Sequence, residues 1–174
     1  GLVDGARHVG RRRPVLYALI AIGLQRFLYG VSTVCILLLY RNYFPDEGFF
    51  RAGLPGIAQV VVGVAIGSAL AALLTPAATR RFGFARWPVA LLTLAAIVEV
   101  AFGLPYRLAL FPIAAFGLGL CAQGFKICVD TRVQRTIEDA YRGRVFTVYD
   151  TVFNISFVAA AVVTALALPD SGHS

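Results

Sequence analysis

Apolar residues fill five long runs along the chain, and charged residues are confined to short clusters between them. A helix that crosses a bilayer needs roughly 20 mostly apolar residues at ~1.5 Å rise each. The pattern therefore predicts membrane helices over residues 15–40, 53–76, 87–104, 108–129 and 146–168. Proline punctuates these runs. Pro14, Pro76, Pro88, Pro105 and Pro169 stand at borders, and Pro55 and Pro112 lie just inside them. None falls at a helix centre, where the ring would remove a backbone hydrogen bond.

The expected fold class is thus all-α, a polytopic bundle of five transmembrane helices. A basic linker over residues 1–14 precedes it and a tail over 169–174 follows it. Composition strengthens this reading. The chain is 59% hydrophobic and only 14% charged, with mean hydropathy +0.76, whereas soluble domains carry about 25% charged residues. Its first expected partner is the lipid bilayer.

Arginines in the short connections set the expected orientation. Arg7, Arg11, Arg12 and Arg13 precede the first helix, Arg80, Arg81 and Arg86 lie between the second and third, and Arg132, Arg135, Arg142 and Arg144 lie between the fourth and fifth. The opposite side has only Arg41, Arg51 and Arg107, near Asp46, Glu47 and Asp170. The N-terminus is expected in the cytoplasm and the C-terminus outside, in a plasma or inner cell membrane. Tyr40, Tyr43, Phe44, Phe49, Phe50 and Tyr106 mark the outer interface, and Trp87, Phe146 and Tyr149 the inner one. The segment TRVQRTIEDAYRGR suits either a short amphipathic surface helix, with Val133 and Ile137 on its apolar side, or a solvated charged loop.

The net charge of +7 could indicate nucleic acid, but the basic residues gather at helix ends with no basic–aromatic stripe, so topology explains them. Cys35, Cys121 and Cys128 lie in apolar runs without CxxC spacing, and His8 and His173 are remote. No metal, cofactor or disulfide framework is expected. No signal peptide is legible, and a chain opening at Gly1 without methionine is expected to be a fragment or a processed product.

An ionisable side chain at the centre of a membrane helix costs at least about 2.5–3.5 kcal/mol and needs a reason. Arg26, eleven residues beyond Val15, sits roughly 16 Å into a core about 30 Å thick. Tyr29 and Thr33 follow it on the same face, flanked by Gln25 and Ser32. That face either lines a cavity for substrate or carries a structural arginine paired to another helix. Arginine stays protonated, so Arg26 suits an anionic group better than a proton relay.

A second cluster is expected near the cytoplasmic end. Gln123, Lys126 and Asp130 share a helix face, and Asp150 and Asn154 are four apart on the next helix. Lys126 is expected to pair with Asp130 or across to Asp150, in a gate or coupling network, unless these residues simply reach water. Glu99 reads as an interfacial carboxylate near Arg107, with a proton-carrying role as its lesser alternative. Gly63, Gly67 and Ala71, at four-residue intervals, predict a helix-packing face.

These features together resemble the C-terminal half of a major facilitator superfamily transporter over nearly the whole chain. The lead-in GARHVGRRRP is similar to that family's central loop, and the five helices would match its seventh to eleventh. TRRFGFARW resembles its Gly-Asp-Arg-Gly-Arg loop motif through Arg80, Arg81 and Gly83 but lacks the acidic residue. VQRTIEDAYRGRVFTVYDTVFN is similar to the entry into the eleventh helix in exporter-like members.

The resemblance implies half of a major facilitator fold, whose partner is the N-terminal helical half missing from this chain. It places Gln25, Arg26, Tyr29 and Gln123 at a central cavity and Gly63 and Gly67 at packing surfaces, and makes Glu99 peripheral. It also implies alternating access by secondary active transport of a small-molecule substrate, with protons as the coupling ion and export as the direction. The alternative is a non-transporting membrane assembly protein. An intramembrane enzyme ranks last, because both histidines lie in the tails and neither HExxH nor GxSxG occurs.

Overall fold

The computed structural model describes residues 13–42, 53–105, 107–137 and 139–167, and within these it is almost entirely helical. Helix α1 is Arg13–Asn42, α2 is Gly53–Val98, α3 is Phe111–Thr136 and α4 is Asp139–Ala167. A π-turn, Glu99–Gly103, continues α2, and a short 3₁₀ turn, Leu108–Leu110, introduces α3. Most of the basic lead-in, the aromatics Tyr43, Phe44, Phe49, Phe50 and Tyr106, and the tail 169–174 lie outside the described residues.

Among the described residues, four helices rather than five are long and apolar enough to cross a membrane. The difference arises at the expected second loop. Almost no loop separates the two helices there: they meet at a sharp kink at Gly83, whose φ of 84° and ψ of 160° are not helical. Only glycine reaches that region cheaply. The side chains on either side show where the two arms go. A methyl group on Gly124 of α3 would touch both Thr75, before the break, and Leu91, beyond it. Gly119 and Gly117 likewise face Val64 and Val98. The arms therefore lie side by side against α3, the first parallel to it and the second antiparallel.

Gly83 has open space around its Cα. Replacing it with alanine thus meets no neighbour, and the expected loss of about 1–3 kcal/mol is backbone strain alone. Thermal unfolding in detergent measures it. The same loss from Gly53→Ala is not expected to redirect a helix, because Gly53 (φ 63°) stands at the first residue of α2.

The α2–α3 contact is built on missing side chains. A Cβ on Gly63 would sit 2.7 Å from the Pro112 carbonyl oxygen, and one on Gly119 would sit 2.6 Å from that of Val64. A Cβ on Gly67 would strike the Phe116 carbonyl oxygen. Backbones in direct contact maximise dispersion where lipid supplies no hydrophobic drive. On the other side, α1 runs parallel to α4: Gly23 faces Val152 and Ser156, and Gly30 faces Phe157 and Ala160.

Two apolar clusters fix the ends. One joins Val15, Leu19 and Ile22 of α1 to Phe125, Val129 and Val133 of α3 and to Val145 and Tyr149 of α4. The other joins Leu39 and Tyr40 to Val60, Leu108, Phe111 and Ala115, with the Tyr40 hydroxyl donating to the Leu108 carbonyl at 3.2 Å. The short amphipathic helix expected within residues 131–144 is absent as a separate element. Cys121, Phe125, Val129 and Val133 repeat every four residues on the buried face, so packing carries α3 on to Thr136. Extended backbone at Ile137 (φ −102°, ψ 134°) ends it, and α4 begins two residues later.

Candidate functional site

Arg26 lies in the fourth turn of α1, where Gly23 and Gly30 let that helix close on α4. The close approach delivers aromatic rings to the guanidinium. Its Cζ is 4.2 Å from the centroid of Phe153, 4.9 Å from Phe157 and 5.3 Å from Tyr29. Cation–π contacts are worth about 0.5–2 kcal/mol each as desolvation increases. They soften the burial of the charge without using its hydrogen-bond donors. The Arg26 Nε is buried with no hydrogen-bond partner. Among the described residues no carboxylate lies within ion-pairing distance of Arg26.

The donors face a polar cavity of about 190 Å³ lined by Gln25, Arg26, Tyr29, Ser68, Gln123 and Lys126, with Phe153 at its edge. Four of the expected cavity residues, Gln25, Arg26, Tyr29 and Gln123, thus meet at one place, and Lys126 joins them. Lys126 pairs with Asp130 of its own helix at 2.7 Å. Its ammonium also lies 5.5 Å from the Phe153 centroid and 5.7 Å from that of Tyr149. The Tyr149 hydroxyl and the Asp130 Oδ1 are both buried, and the hydroxyl lies beside the Asp130 carboxylate.

Other expected site residues stand elsewhere. Thr33 donates its hydroxyl to the Tyr29 carbonyl at 2.7 Å and borders a separate apolar cavity between α1, α2 and α3. Asp150 and Asn154 are exposed on the outer side of α4, where the Asn154 amide donates to the Asp150 carbonyl at 2.7 Å. They do not reach Lys126. Sequence reasoning passed over Ser68 and Phe153. Phe153 had a signal available, since Tyr149, Phe153 and Phe157 recur every four residues and so share a helix face. Ser68 had none, because nothing in a linear pattern says which polar residue of a neighbouring helix will meet a given charge.

Over its whole length the chain is 33% identical to an uncharacterised MFS-type transporter of Mycobacterium bovis and, at the same identity, to one of Mycobacterium tuberculosis. It spans 38% of the length of each. No family model matches the chain, and no solved structure matches it.

Proposed function

We propose that the chain, which matches one part of two MFS-type transporters, forms the C-terminal part of a solute transporter of the major facilitator superfamily in which Arg26 receives an anionic group of a small organic substrate. The observation that carries this reading is an arginine whose buried Nε has no partner, at a polar cavity also lined by Gln25, Gln123 and Lys126. Cation–π contacts with ring faces leave directional donors of a guanidinium for a ligand. A substrate carboxylate or phosphate would complement its charge.

Counting the two arms of α2 as separate crossings gives this part five, matching the seventh to eleventh helices of the superfamily. The N-terminus is then cytoplasmic and the C-terminus extracytoplasmic. Supporting this, the turn at Gly83 and the α3–α4 turn carry the arginine-rich segments, and Arg135 lies 4.7 Å from the Phe84 ring, so both turns are at one end. Secondary active transport, proton coupling and export extend the proposal by family analogy.

Flux of benzoate against benzamide through proteoliposomes containing the full-length protein tests the anion assignment. Benzoate is expected to be preferred, and Lys126→Gln is expected to narrow that preference several-fold while expression stays unchanged. Equal flux of the two solutes in the unaltered protein sinks the reading.

A further inference from the structure

Glu99 is the residue that the proposed function leaves unexplained. It opens the π-turn Glu99–Gly103, and it shares a helix face with Leu92, Ala95 and Ala96 at three- and four-residue spacing. That face meets α1, where the Ser32 hydroxyl donates to the Glu99 Oε1 at 2.8 Å. Glu99 is therefore not a surface carboxylate near Arg107 but part of the contact between α1 and the end of α2.

The same carboxylate borders a cavity of about 330 Å³, larger than the one at Arg26. Leu92, Ala96 and Leu118 supply apolar walls, and Gln25, Tyr29 and Ser32 supply the polar groups beside Glu99. Among the described residues lining it, Glu99 alone carries a formal charge. Gln25 and Tyr29 line both cavities. Neighbouring faces of α1 thus offer a cation to the first cavity and meet an anion in the second.

We propose that the Glu99 cavity binds a small lipophilic organic cation, its ammonium at the Glu99 carboxylate and its apolar body against Leu92, Ala96 and Leu118. A proton would satisfy the charge but needs no apolar room. A metal ion would need several hard ligands, and the described residues contain no group of three or more His, Cys, Asp or Glu that could hold one. Cavities near this size, mostly apolar with a few convergent polar groups, are typical of small-molecule sites. The assignment uses a different charge from the Arg26 reading, although Gln25 and Tyr29 border both cavities.

Binding of phenyltrimethylammonium and of its neutral isostere tert-butylbenzene to the purified full-length protein separates charge from shape. The quaternary cation is expected to bind saturably and at least about tenfold more tightly than the isostere, the scale of one charge-assisted contact. Glu99→Gln keeps the side-chain length and a partner for Ser32, and is expected to erase that preference without changing tert-butylbenzene affinity. Ala96→Phe fills the cavity while sparing the carboxylate, and is expected to weaken both ligands. Arg26→Met is expected to weaken neither, so failure here and failure of the anion site are told apart. Unchanged cation affinity in Glu99→Gln overturns the proposal, as does equal affinity for the two probes. Absence of cation binding, with Glu99→Gln altering only the pH dependence of flux, would assign the carboxylate to a proton instead.

Discussion

Gly67→Leu is expected to destroy the packed bundle rather than to weaken a site. A single methyl at this position already strikes the Phe116 carbonyl oxygen and comes within 2.9 Å of the Leu120 backbone nitrogen. Those atoms belong to α3 backbone and cannot rotate aside as a side chain would. The helices must separate along the contact that Gly63, Gly67 and Gly119 create together. Ordinary overpacking costs about 1–3 kcal/mol, and a leucine wedged between two backbones belongs at or beyond the upper end. For a chain of this size about 3 kcal/mol lowers Tm by roughly 6–12 °C. Size-exclusion profiles and thermal unfolding in detergent measure the loss. Gly143→Ala is the control, because a methyl there meets no atom within 4 Å and a helical alanine is favoured over glycine. A Gly67→Leu protein as stable as that control would show that α2 and α3 do not pack as described.

The second large effect is functional. Arg26→Ala is expected to lower solute flux by about a hundredfold or more, the scale of removing one partner from a buried, hydrogen-bonded charge pair. Insertion into the membrane should survive, since Gly23 and Gly30 still seat α1 on α4. Alanine also empties the space between Phe153 and Phe157, so a second variant isolates the charge. Arg26→Met keeps an unbranched stem against those rings and removes only the cation. If Arg26 receives substrate, methionine restores stability but not flux. If it merely pins α1 to α4, methionine restores both, and the cavity assignment falls.

How much of this was legible beforehand follows a physical divide. Hydropathy and proline placement located the apolar runs, because a bilayer imposes length and composition on each helix separately. The shortness of the link between the second and third runs was not legible, since Arg80, Arg81 and Arg86 look like loop residues by charge, whereas the two helices meet at Gly83. The choice between a surface helix and a charged loop over residues 131–144 was open for a related reason. Val133 reads as amphipathic in isolation, yet it is the next turn of the Cys121–Phe125–Val129 face.

Spacing brought side chains together only within one helix, and Gln123 joined the α1 residues through the family resemblance alone. Gln25, Arg26 and Tyr29 came from spacing on α1, whereas the aromatic cage around Arg26 required knowing that α4 runs parallel beside it. Of the two partners open to Lys126, the structure has Asp130, one turn along the same helix, and spacing alone could not choose between it and Asp150. Glu99 was read from its depth alone, whereas its spacing from Leu92, Ala95 and Ala96 sets it on the face that meets Ser32 of α1.

The ring of Phe153 is shared by Arg26 at 4.2 Å and Lys126 at 5.5 Å. Two cations drawing on one quadrupole are not independent contributors, because polarising the ring toward one weakens its hold on the other. Their energetic ledgers are therefore coupled through a residue that carries no charge. Neutralising Lys126 should tighten the grip of Phe153 on Arg26, and the double variant should differ from the sum of the single ones, as it does for residues with a common partner. Removing the ring should take away that part of the coupling and leave only the direct repulsion of two cations lining one cavity.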